Sequence, residues 1–249
     1  MKTRLSKNKV IHQIEAEALL KPDIVVLSGI KELDALLGGF KAGEITFIDG
    51  DSRHISNISN MLCVNTYRTF HSSTIYIDGG MCTNPYKIAE YARKMELDQK
   101  HILKNVHLSR AFTVHQLTTL VQKMLEPAIK RYQPQTLIIG RLPVLFLDSD
   151  IKSDEAQTLL KENLREIKEI TKKHNIITVF TNHDKEMIST RRNTRKIIRQ
   201  NADEIVIMKQ REQSTFVQLI KKQKNTIILD IMNGQMRLQD FGMVIEKHG

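Results

Sequence analysis

The chain has 249 residues, a formal net charge of +10 and an isoelectric point near 9.5. That length suffices for one α/β domain with a short extension. The polar opening Met1–Lys7 gives no expectation of a secretory signal, and no run approaches the roughly 20 apolar residues that span a bilayer. Cys63 and Cys82 sit in no CxxC or histidine-rich context, so reduced thiols in a cytoplasmic protein are expected, and the basic excess favours polyanionic partners.

In chain order, residues 1–23 read as a polar N-terminal extension closed by Pro22, and 24–249 as the core domain. Lys31–Leu37 is a short helix stopped by Gly38-Gly39. Ile45–Asp49 is a buried-type strand, and Ile55, Ile58, Leu62 and Phe70 mark the helix after it. Thr74–Asp78 is a second strand. Asn84 caps a helix that has Pro85 at its first position and runs to about Glu96. Val106–Leu108 is a short strand, followed by a helical stripe from Val114 to Ala128. Gln135–Ile139 is a strand, Ser153 or Asp154 starts a long helix, and Ile176–Thr181 is the fourth major strand. Strands Glu204–Met208, Thr215–Ile220 and Thr226–Ile231 close the chain. The alternation implies right-handed crossovers and a mostly parallel sheet, and the closing run implies an antiparallel extension.

The segment Gly50-Asp-Ser-Arg-His-Ile-Ser-Asn57 lies between strand and helix, where a phosphate loop G-x-x-x-x-G-K-[ST] would stand. Gly50 keeps the first glycine. Ile55 takes the second glycine's place, Ser56 the lysine's and Asn57 that of the magnesium-binding hydroxyl. A β-branched side chain at the close-approach position, with no ammonium, removes both means of holding phosphate. Arg53, His54 and the helix N-terminus keep nucleotide binding without hydrolysis as an alternative. Asp49, Asp51, Asp78 and His54 read as strand-end and loop polar residues rather than a metal cluster.

Several motifs resemble the RecA-type recombinase core, in particular the archaeal RadA and RadB branch. Leu27–Gly39 is similar to the entry motif ISTG-x-x-x-LD-x-LLGG, one residue short, and Gly43-Glu-Ile-Thr46 to G-x-IT. Thr74–Asp78 resembles VIYID, Leu103–Phe112 resembles LKNIYVARAF, and Thr178–Asn182 resembles VVVTN. The likeness runs over roughly residues 24–240 by motif order. It implies a RecA-like P-loop core: a mostly parallel central sheet flanked by helices, with antiparallel strands at the C-terminal end. It also places a catalytic glutamate where Gly80 stands and a magnesium-ordering aspartate where Gly140 stands. Gly50, Arg53, His54, Ile55, Ser56, Asn57, Gly80 and Gly140 are therefore expected to form a degenerate nucleotide site. No catalysis, metal or ATP cofactor is expected of it.

Between Asp184 and Gln200 stand Lys185, Arg191, Arg192, Arg195, Lys196 and Arg199 against two acids, with hydroxyl and amide side chains between them. This reads as a flexible loop able to fold onto a phosphate backbone by counterion release. The resemblance puts the family's second DNA loop here, which points to DNA, expected to be single-stranded. A solvated loop or a site for an acidic protein stays open. The stretch matching the family's first DNA loop carries Asp148, Asp150, Asp154 and Glu155 against Lys152 and would repel DNA. Lys209, Arg211, Lys221, Lys222 and Lys224 read as the exposed face of a hairpin. Tyr86, Tyr91 and Tyr132 read as packing residues, and Phe146 as either a contact patch or a buried anchor.

The reading is a catalytically inactive RadA-like paralogue that binds DNA at the nucleoid and assists homologous recombination and repair. A RadA-type recombinase or another repair protein is the expected protein partner. Ile11–Ile14 lacks the F-x-x-A plug of RadA-type tails, which leaves a homodimer open and self-polymerisation doubtful. The alternative is a RecA-fold protein- or peptide-binding scaffold with no nucleic-acid role.

Overall fold

The computed structural model describes residues 24–147, 151–183 and 192–229. The extension 1–23, Asp148, Asp150, Lys185 and Arg191 lie outside them.

A two-residue strand β1 (Val25–Val26) pairs antiparallel with β2 (Phe40–Lys41) across the helix α1 (Lys31–Leu37). Gly38 closes α1 at φ 79°, donating its N–H to the Asp34 carbonyl, a left-handed turn that glycine adopts without steric cost. The chain continues through β3 (Ile45–Gly50), α2 (His54–Phe70), β4 (Thr74–Asp78), α3 (Pro85–Lys94), α4 (Gln99–Lys104) and β5 (Val106–Arg110). Asn84 caps α3 by accepting from the Lys87 N–H at 3.2 Å. Next come α5 (Val114–Thr119), a π-helical turn (Leu120–Met124), α6 (Leu125–Tyr132), β6 (Thr136–Gly140) and a 3₁₀ segment (Leu142–Leu147). The series ends with α7 (Ser153–Lys173), β7 (Ile177–His183), α8 (Arg192–Asn201), β8 (Glu204–Gln210), β9 (Ser214–Leu219) and β10 (Lys224–Leu229).

The main sheet has the order β10-β9-β8-β3-β7-β6-β4-β5. Pairings from β8 to β5 are parallel, and β8-β9-β10 are antiparallel. This is the architecture expected of the sequence. Strand pleating sends alternate residues to opposite faces. Phe47, Ile77, Ile139 and Phe180 meet α5 to α8 on one side. Ile48, Tyr76, Ile138 and Val179 meet α1 to α4 on the other. The central strands therefore deliver their carboxyl ends, Gly50, Asp78, Gly140 and His183, to one edge of the molecule, where open α/β sheets bind ligands.

Three expectations are corrected and one open choice is decided. The stripe from Val114 is not one helix. Pro127 has no N–H to give the carbonyl a turn earlier, and the chain widens ahead of it, with the Leu125 N–H bonding the Leu120 carbonyl five residues back. Tyr86 is 88% exposed instead of packed, while the Tyr132 ring stacks on His107 at 3.7 Å. The basic stretch, expected as a flexible loop, is helical from Arg192 to Asn201. Its buried positions Thr194, Ile197 and Ile198 supply the apolar face that stabilises a helix. Phe146 is the buried anchor, with no exposed surface, and not a contact patch. No helix among the described residues is long and apolar enough to cross a membrane.

Candidate functional site

At the end of β3, a Cβ on Gly50 would collide with the backbone carbonyl of Met208 on the neighbouring β8. Strand packing alone therefore requires a glycine here. The following residues are stitched onto the β8–β9 hairpin. The Asp51 N–H donates to the Met208 carbonyl at 3.1 Å, and Asp51 Oδ1 accepts from the Gln210 N–H at 2.7 Å. Ser52 is fully buried, with Oγ 3.0 Å from Thr215 Oγ1.

The same serine caps α2 from within. Its Oγ accepts from the His54 N–H at 3.2 Å and its carbonyl accepts from the Ile55 N–H at 3.1 Å. Two of the amide donors that would face an anion at this helix end are therefore engaged by the chain itself. Ile55 points into the core, Arg53 is exposed, and His54, Ser56 and Asn57 are half-buried.

Across the edge, Asp78 ends β4 and organises the turn after it. Its Oδ1 accepts from the N–H groups of Gly80 (3.2 Å) and Cys82 (3.0 Å) and from the Cys82 thiol (3.2 Å); Oδ2 accepts from the Thr83 N–H (3.1 Å). Burial pushes this carboxyl up, but the combined backbone donors of Cys82, Thr83 and Gly80 outweigh it and leave the pKa lowered.

A Cβ on Gly80 would lie 2.5 Å from Arg141 Cδ and 3.0 Å from Arg141 Nε. Arg141 itself adopts φ 53° and directs Nη1 to the Gly80 carbonyl at 3.4 Å. A Cβ on Gly140 would lie 2.5 Å from Cys82 Sγ and 3.0 Å from Tyr76 Oη. At both glycines the space a Cβ would enter is occupied by other side chains of the chain. Burial pushes the Cys82 thiol up to about 12, so it stays a neutral packing group.

The basic residues part company in the structure. Arg192 opens α8 and Lys196 is exposed on it. Arg195 and Arg199 instead turn inward onto Asp49 of β3, which is 1% exposed. Arg195 Nη2 reaches Asp49 Oδ1 at 3.1 Å, Arg199 Nη2 reaches Oδ2 at 2.7 Å, and Asn182 Nδ2 donates to Oδ1 at 2.8 Å. Sequence reasoning read Asp49 as a polar strand end and missed this role. A carboxylate closing an apolar central strand was the available signal, because such a charge requires partners. Among the described residues no group of three or more His, Cys, Asp or Glu is placed to hold a metal ion.

A separate feature lies at the far edge of the sheet. A groove of about 410 Å³ opens beside β5, lined by Ile75, Ile77, Leu120, Met124, Ala128 and Tyr132. The π-helical turn helps to form its wall. The outer side of β5 pairs with no described strand.

Comparison with known proteins gives two findings. The family model described as Rad51 matches residues 21–211. The DNA repair protein Rad51 homolog of Drosophila melanogaster is 33% identical over 112 residues, covering 41% of this chain and 33% of that relative. The match thus spans about a third of the relative's length.

Proposed function

The chain belongs to the Rad51 family, and on that premise we propose that it is a DNA recombination and repair protein that binds single-stranded DNA without hydrolysing ATP. The observation that carries the inactive-site reading is the filling of the edge. Arg141 occupies the space above Gly80, and Cys82 with Tyr76 that above Gly140, where the family resemblance requires carboxylates. Mg–ATP does not fit these residues. No ammonium stands in the loop, a side chain at either acidic position would have to displace Arg141 or Cys82 and Tyr76, and Asp51 stands beside Gly50.

DNA binding rests on the basic segment beside this edge. Lys196 is exposed on α8, Arg192 opens the same helix, and Lys185 and Arg191 precede it in sequence. Cations of this kind hold a phosphate backbone through counterion release, with little dependence on base identity. The test is fluorescence anisotropy of labelled oligo-dT at about 50 and about 200 mM salt, with and without Mg–ATP. Affinity that falls steeply with salt and ignores Mg–ATP supports the reading; no salt-dependent binding overturns it.

A second reading, a protein-binding scaffold, is favoured by the groove beside β5. It matches a bulky apolar anchor such as the phenylalanine that RadA-type tails present, and the open edge of β5 offers backbone partners to the same segment. Ala128→Glu in the groove then abolishes capture of a RadA-type recombinase and leaves oligonucleotide binding intact. A chain that captures the recombinase but binds no oligonucleotide is a scaffold alone.

A further inference from the structure

The Asp49 cluster has a composition that strand packing does not require. Asp49 lies on the central strand, paired in register with Asn182 of β7 and Ile207 of β8, one residue before Gly50. Its carboxylate is met by two guanidinium groups and one carboxamide, all from this chain. Arg195 and Arg199 are four residues apart, hence one turn apart on the same face of α8. Between them lie Ile197 and Ile198, which pack into the core shared with α7 and the sheet. The carboxylate and the apolar pair thus fix the helix together: one against sliding, the other against lifting.

The two guanidinium groups differ in exposure. The Arg195 side chain is 19% exposed and that of Arg199 is 41% exposed. Each gives one Nη2 to Asp49, and the Nε groups of both are buried with no hydrogen-bond partner among the described residues. One negative charge therefore faces two positive ones. The excess cation lies on the helix that also presents Lys196 to solvent.

We propose that Asp49 is the positioning residue of the nucleic-acid interface: an anion built into the central strand, which orders the basic helix α8 without a nucleotide. This rests on the DNA-binding reading above and adds how its surface is held. Arg195 is a strut, Arg199 joins the strut to the surface, and Lys196 meets phosphate directly. With the carboxylate gone, the largely buried Arg195 is left without a counter-charge and the half-exposed Arg199 loses its inner anchor, and the helix is expelled toward water.

The experiment compares wild type, Asp49→Asn and Asp49→Glu in the full chain by hydrogen exchange and by oligo-dT anisotropy across salt. In Asp49→Asn the amides of 195–201 exchange on the order of 100-fold faster, the factor for a buried ion pair losing its carboxylate. Amides of β4 and β6 keep their rates. Oligo-dT affinity falls, and its salt slope becomes shallower by roughly 0.7 for each phosphate that is no longer neutralised. General destabilisation would leave that slope unchanged in the folded fraction. Asp49→Glu restores helix protection and slope, and Mg–ATP changes neither in any variant.

Unchanged exchange of 195–201 in Asp49→Asn overturns the proposal. So does tighter binding, because the carboxylate would then mask the arginines instead of placing them. If Asp49→Asn does not fold, Asp49→Glu decides alone: protection and slope near wild type support the proposal, and loss of α8 protection or an altered slope overturns it. Failure of wild type to bind oligo-dT refutes the DNA reading and, with it, the role of Asp49 in an interface. The exchange data then still decide whether Asp49 holds α8.

Discussion

Adding a side chain at Gly140 tests the filled-edge argument energetically. A Cβ there would stand 2.5 Å from Cys82 Sγ, 3.0 Å from Tyr76 Oη and 3.1 Å from Tyr76 Cε1, all well inside ordinary van der Waals separation. The surroundings are strand backbone and a turn held by Asp78, so relief must come from side chains displaced out of their wells. Overpacking of this kind costs about 1–3 kcal/mol, which lowers Tm by roughly 2–4 °C per kcal/mol in a chain of this size. Gly140→Asp costs more, because its carboxylate would enter beside a thiol that already donates to Asp78. Removing that sulfur relieves the tightest approach, so Gly140→Ala and Cys82→Ala are coupled. Urea unfolding of the two single variants and the double variant gives the coupling energy, expected at about 1 kcal/mol in the relieving direction. Strictly additive effects, or a neutral Gly140→Ala, refute the claim that the space is filled.

Three further outcomes are expected. Asp78→Asn destabilises by about 1.5–3 kcal/mol near neutral pH, since charge-assisted bonds to backbone donors are removed. Because folding lowers this carboxyl below its ordinary 3.8, its contribution is present above that value and fades as pH falls through the folded value. The gap between the two urea midpoints should therefore narrow at acid pH; a gap that widens refutes the assignment. Lys196→Ala should flatten the single-strand salt slope by roughly 0.7 without moving Tm, measured by anisotropy and thermal melting. Cys63, pushed up to about 12 by burial, should resist alkylation at pH 8 in the native chain and react on unfolding, read by mass spectrometry.

Much of the fold was legible because its signals are local. Apolar runs such as Thr74–Asp78 and Thr136–Gly140 mark buried parallel strands, and Asn84-Pro85 and Gly38 mark helix ends. The break before Pro127 was also local: a proline within a helical stripe predicts a disturbed turn, and the stripe alone hides it. The candidate site was legible only as departures from a resemblance. Ile55, Ser56, Asn57, Gly80 and Gly140 stand where that resemblance expects functional groups, but what packs against the glycines comes from Arg141, Cys82 and Tyr76, brought together by register between β4 and β6. The Asp49 cluster was illegible for the same reason. Asp49 and Arg199 are 150 positions apart in sequence, and only the sheet order places α8 over β3. The arginines were visible as charge, whereas their inward direction depends on the burial of Ile197 and Ile198 beside them.

One assay bears on the whole interpretation: phosphate release from Mg–ATP by the purified chain, with and without single-stranded DNA. Release indistinguishable from the protein-free control under both conditions is the predicted result. DNA-stimulated turnover that disappears in Asp78→Ala or Arg53→Ala would contradict it, because a working hydrolytic site would then exist at an edge where the carboxylate positions are occupied by other side chains.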